Sequence, residues 1–172
     1  MLNKISIRTL ISPAATLCLL SSFAANAGDW QRLTPPGAGF SIMMPGAPQT
    51  MDQTVQTKAG PLVMHVFGTE TGKIGYAVMY GDYKMQMEPK KALEGVRDGE
   101  VGTGKLLAEE NISAGGSPGK RIIVAMADGN TLVSQFFLAG TKLYQVMYIT
   151  PNAPQEALQE AAPFMKSFQL GR

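Results

Sequence analysis

The stretch that most constrains this chain is residues 120–150, KRIIVAMADGNTLVSQFFLAGTKLYQVMYIT. It reads as three consecutive strands joined by two tight turns. Side chains alternate between the faces of a strand, so Ile122, Val124 and Met126 oppose Ile123 and Ala125. In the second strand Leu132, Phe136 and Leu138 oppose Val133, Phe137 and Ala139; in the third Leu143, Met147 and Ile149 oppose Tyr144, Val146 and Tyr148. Asp128-Gly129 predicts a two-residue type I′ hairpin, because glycine accepts the positive φ that turn requires. Gly140-Thr141 marks the second turn. A sheet with one wet face alternates apolar and polar residues. This one is apolar on both, so something must cover each side.

The remainder of the chain supplies the covers. Residues 89–101 place Ala92, Leu93 and Val96 at helical spacing, with Lys90, Lys91, Glu94, Arg97 and Asp98 around the rest. Pro89 suits a first helical turn, where its missing N–H costs nothing. A second helix opens at 151–154, with Ala157, Leu158, Ala161 and Phe164 as its apolar face and Pro163 expected to kink it or to begin a new turn. Phe168 and Leu170 are expected to pin the tail to the core. Before the first helix lie an opening strand at 30–33, a strand at 39–44, a polar edge strand at 49–58, and a hairpin of 61–68 with 74–83. Residues 106–112 return to strand, and 114–119 read as a Gly/Ser/Pro loop.

Residues 1–27 are expected to be a cleaved signal peptide. Lys4 and Arg8 form a positive start, the run from Leu10 to Phe23 is apolar, and Ala25-Asn26-Ala27 has the small-x-small form of a cleavage site. Cys18 is the sole cysteine, and Leu17 before it does not suit a lipoprotein signal. The exported product, beginning at Gly28, is then a single α+β domain of residues 28–172. It has no cysteine for a disulfide and depends on its core. Loss of Lys4 and Arg8 from the 15 basic residues leaves 13 against 13 acidic ones. A neutral surface argues against nucleic acid and against electrostatic membrane binding. The expected location is the periplasm, with no stable membrane anchor after cleavage.

Several segments carry a family resemblance. They are Gly39-Phe40-Ser41-Ile42 with Met44-Pro45-Gly46-Ala47-Pro48, Tyr80-Gly81-Asp82-Tyr83, Pro118-Gly119-Lys120, residues 137–146 (FLAGTKLYQV) and Phe164-Met165-Lys166-Ser167-Phe168. Together they resemble PsbP/Mog1-like domains as found in small secreted bacterial proteins. The resemblance implies an α/β/α sandwich with a central antiparallel sheet. Relatives of that class bind partners, one at the oxygen-evolving complex and another a small GTPase. No functional residue of either is matched here.

The chain offers little chemistry. His65 is the sole histidine and shares a strand face with Val63 and Phe67. A triad needs a histidine held between a nucleophile and an acid, and zinc needs three or four ligands; neither pattern is present. Residues 115–120 (GGSPGK) depart from a phosphate loop, since Ala114 replaces its first glycine and Arg121 its Ser/Thr. Glu109 and Glu110 are adjacent on a strand and point to opposite faces. Methionine is the one unusual count, 11 in the chain. Thioethers suit Cu(I), which makes Met85 and Met87 a candidate soft-metal pair, although methionine also fills cores. Tyr83, Met85 and Met87, interleaved with Lys84, Gln86 and Glu88, form a candidate partner-binding patch in the loop 81–88. The expected function is a non-catalytic binding or accessory protein of the cell envelope, without a cofactor, whose partner is an envelope protein or small ligand. The alternative is a periplasmic Cu(I) binder.

Overall fold

The computed structural model describes residues 29–57 and 60–171. The expected signal peptide and its cleavage site lie outside them, as does Lys58. No helix among the described residues is long and apolar enough to cross a membrane.

The predicted meander is the centre of the molecule. β7 (Ser117–Ala125), β8 (Thr131–Ala139) and β9 (Lys142–Thr150) pair antiparallel in sequence order. They continue into a seven-stranded sheet of order β3-β4-β5-β9-β8-β7-β6. Its other members are β3 (Gln49–Thr57), β4 (Gly60–Thr71), β5 (Ile74–Asp82) and β6 (Lys105–Ala114). Every adjacent pair is antiparallel. β3 is the edge strand its polar sequence predicts.

Each face of the sheet builds its own core, as the two-sided apolar pattern requires. On one side α1 (Pro89–Val101) lies over β7 and β8, above Ile122, Val124, Leu132, Phe136 and Leu138. Glu88 caps this helix, its carboxylate accepting from the Lys90 amide at 3.1 Å, and Pro89 occupies the first turn. On the other side α2 (Pro154–Lys166) covers Val133, Phe137, Val146 and Tyr148. A small second sheet shares that side, β1 (Trp30–Leu33) and β10 (Gln169–Leu170) flanking β2 (Phe40–Pro45). Phe168 is buried and Leu170 joins β2, so the tail is pinned as expected.

Three local readings change. Residues 114–119 are not a loop: Ala114 faces Ser117 across a two-residue turn, and Ser117-Pro118-Gly119 already belong to β7. Gly115 and Gly116 both take positive φ, 54° and 80°, the backbone of a type I′ turn. The Asp128-Gly129 turn is not type I′. The Met126 amide bonds Asn130 O and the Gly129 amide bonds Met126 O, closing a three-residue loop. Only Gly129 has positive φ there, and Asp128 Oδ1 accepts from the Asn130 amide at 3.0 Å, which favours a turn followed by a bulge. Leu158 is 38% exposed, and Met165 takes its place on the buried face of α2. Pro163 lies within α2, which runs on to Lys166.

Candidate functional site

The loop 81–88 is fixed at its start. Asp82 accepts from the Lys84 amide and ammonium, both at 2.9 Å, and the Tyr83 amide bonds Thr141 O at 3.0 Å. These bonds to Lys84, with help from Thr141, hold the Asp82 carboxyl well below the usual carboxylate range. Lys84 itself takes a left-handed φ of 60°. The three side chains of the candidate patch then part company. Tyr83 and Met87 are partly buried against the apolar cluster under α1. Met85 stands 52% exposed. The thioether pair Met85 and Met87 therefore has one sulfur side chain in solvent and one on the core. Burial raises the pKa of the Tyr83 phenol.

On the opposite side of the sheet the structure assembles a group that the sequence does not announce. Asp52 of β3 and His65 of β4 are directly paired in register. His65 Nδ1 lies 2.7 Å from Asp52 Oδ1, with the two side chains 40% and 67% exposed. The imidazole packs on Tyr80 at 4.8 Å between ring centroids, and the Lys142 ammonium sits 5.9 Å above the same phenol ring. Tyr80 stacks in turn near Phe67 and Tyr144 and meets Phe40 edge-on. The result is an aromatic shelf, open at its His65 end and sealed by β2 at the other. Val63, 47% exposed, extends it. The contacts of His65 are the Asp52 carboxylate and the face of the Tyr80 ring. It is an oriented surface histidine, in keeping with the expectation for that strand face.

The second missed residue is Glu100. It lies on α1 one turn beyond Val96, so the spacing Ala92, Val96, Glu100 is the signal that would have found it. Its side chain is sealed between the helix and the sheet. Gln145 Nε2 donates to Oε1 at 2.7 Å, while Oε2 and the nearby Ser134 Oγ close no hydrogen bond. Burial pushes the carboxyl up to about 7 against the weaker opposing pull of Ser134 and Gln145.

Surface charge is used structurally. Glu109 is held by Arg97 of α1 and Lys120 of β7, and Glu110 by Arg121 on the other face. The adjacent carboxylates thus point apart as their strand alternation predicts. No cluster of three or more His, Cys, Asp or Glu suited to a metal exists among the described residues. An open groove of about 410 Å³ runs between the turn at Pro35-Pro36-Gly37 and the tail at Leu170-Gly171, and none of the described residues that line it is charged.

No protein-family model matches the chain, and no curated protein matches it. The solution structure of cyanobacterial PsbP (CyanoP) from Synechocystis sp. PCC 6803 superposes with a TM-score of 0.55 at 13% identity. The match covers 86% of this chain and 95% of that one. The fold is PsbP-like. This bears out the α+β sandwich that the motifs between Gly39 and Phe168 imply, at an identity where only the fold carries over.

Proposed function

We propose that this PsbP-like chain is a non-catalytic binding or accessory protein of the cell envelope, exported by way of residues 1–27. The observation that carries the reading is how its acid–base groups are distributed. Glu100, the carboxyl poised near neutral pH, is shut inside the α1 face. The His65–Asp52 pair lies open on a strand surface beside aromatic rings. General acid–base catalysis needs such a group within reach of a substrate held out of water; an open aromatic shelf with a cation and an oriented imidazole suits contact instead.

Two surfaces are available for a partner: the shelf at His65 on the α2 side and Met85 on the loop 81–88. The tagged chain, incubated with envelope extract, is expected to retain a partner that either His65→Ser or Met85→Ser releases. Both side chains are exposed enough that neither change should move the melting temperature appreciably. Hydrolysis of a chromogenic ester or amide by the purified protein, abolished by His65→Ser, would overturn the non-catalytic reading.

A further inference from the structure

The two edges of the seven-stranded sheet are protected unequally. β6 carries Lys105, Glu109 and Glu110 and a register shift between Leu106 and Ala108. Charges and bulges of this kind are how sheet edges refuse a further strand. β3 is far less defended, with Asp52 its one charge and no bulge. Its nine residues, QTMDQTVQT, pair with β4 in unbroken register and include one charge, no proline, no glycine and no lysine. Among the described residues no strand lies beyond it.

The polar and apolar pattern of β3, though not its sequence, is symmetric about Gln53. Laid antiparallel against a second β3 with Gln53 opposite Gln53, Met51 meets Val55, Asp52 meets Thr54, and Thr50 meets Gln56. Opposed residues of an antiparallel pair share a face, and here the faces agree. Met51, Gln53 and Val55 lie opposite Val66, Met64 and Leu62 of β4, on the α1 side, where Met51 and Val55 rim the apolar cluster. The apolar pair would therefore extend that core across the junction. On the other side the lone charge, Asp52, avoids its own copy. One of its oxygens is taken by His65, which leaves the other for the Thr54 hydroxyl of the facing strand.

We propose that β3 is a self-pairing edge, and that two copies of this chain associate about a two-fold axis through Gln53 to join their sheets. The interface is isologous, so every favourable or unfavourable pair occurs twice. Backbone hydrogen bonds would supply affinity and the side-chain register its specificity.

The register makes the test directional. Position 54 is exposed, so its substitution should leave the fold intact, and Thr54→Lys and Thr54→Asp should act in opposite senses. The first sets two ammonium groups against two Asp52 carboxylates, the second sets carboxylate against carboxylate. Sedimentation equilibrium of the purified chain at low salt should show dimerisation tightened by the lysine and weakened by the aspartate, each by about tenfold. In a Cys18→Ser background, Gln53→Cys should oxidise to a covalent dimer, because directly opposed antiparallel residues have Cα atoms about 4.5–5.5 Å apart, within disulfide reach. Glu110→Cys, on the defended edge, should not. A chain that stays monomeric at every concentration, with no cross-link from Gln53→Cys, overturns the proposal. So does a response of the same sign to both substitutions at position 54.

Discussion

The two faces of the central sheet bury similar amounts of chain with different materials. The α2 face is aromatic: Phe40, Tyr76, Phe137, Tyr144, Tyr148, Phe164 and Phe168 meet edge-on or stacked, as in the 5.4 Å contact of Phe137 with Phe168. Three of the polar ends that reach this core are tied, while the buried Thr71 hydroxyl on the same side closes no hydrogen bond. Tyr144 donates to Ala38 O, Tyr148 to Glu160 and Gln135 to Met165 O, at 2.7–2.8 Å. The α1 face is aliphatic, with Phe136 the one aromatic in its buried cluster and Met64, Met79 and Met147 between the branched residues. Its polar group, Glu100, is half-satisfied. Rings in fixed mutual geometry tolerate little rearrangement, while methionine fills space adaptably. One face is thus a rigid frame, and the other can repack around a titratable group.

The largest effects should come from the two adjacent phenylalanines of β8, both buried and pointing to opposite faces. Alanine at either position should cost about 3–5 kcal/mol by chemical denaturation. Phe137→Ala should lie at the upper end, because its ring neighbours cannot close the void. Phe136→Ala should lie lower, with the methionines relaxing inward. The reverse order would break the comparison.

Glu100→Gln sharpens it next. The folded-state pKa, about 7, is raised above the ordinary 4.5. The wild type therefore binds more protons folded than unfolded between those values. Its stability is fully present below about pH 4.5 and is lost as pH rises through 7. The glutamine variant escapes that loss. Thermal melts should give similar stabilities at pH 4 and an advantage to the variant of about 1–3 kcal/mol at pH 8. A variant less stable at pH 8 would mean that the carboxylate is paired in a way its neighbours do not provide.

On the rigid face, Tyr148→Phe removes the hydrogen bond to Glu160 and keeps the ring. The expected cost is about 0.5–1.5 kcal/mol, since Glu160 retains Asn152 as a second donor. A neutral outcome would place that hydroxyl in the same unsatisfied class as the polar atoms under α1.

Most of the fold was legible because its signals are local and periodic. Alternation in residues 120–150 assigns Leu132 and Phe136 to one core and Val133 and Phe137 to the other, and the structure keeps that division. The helix at Pro89 is marked by its spacing and its proline. The turns were harder, because Asp128-Gly129 is compatible with a two-residue loop and with a three-residue loop, which differ in the closing pair and in the sign of φ at Asp128. The separate sheet of β1, β2 and β10 was not legible either: Leu170 pairs with Phe40 across most of the chain, and nothing local encodes that. The same holds for the surfaces. Asp52 meets His65 because of strand register, and Glu100 reaches Gln145 through tertiary packing. The loop 81–88 shows the converse. Its composition suggests a single patch, but Tyr83 and Met87 turn to the core because the apolar face under α1 lies beside them.

The smallest expected effect is the most discriminating. Ser134 is fully buried on the α1 face, and its hydroxyl closes no hydrogen bond. A buried hydroxyl without a partner carries a desolvation cost that a methyl group does not. Against this, alanine leaves a gap the size of one oxygen and withdraws the dipole that eases the Glu100 carboxylate. These contributions oppose one another and are each small, so Ser134→Ala should change stability by less than about 0.5 kcal/mol at pH 8. At pH 4, where Glu100 is protonated, the dipole matters less and the balance should move toward the alanine. A loss above about 1.5 kcal/mol at either pH would show that Ser134 and Glu100 are hydrogen-bonded in solution. The α1 face would then be at least as well paired as the α2 face, where the Thr71 hydroxyl closes no hydrogen bond, and the contrast between an adjustable and a rigid side of the sheet would reduce to one of aromatic content alone.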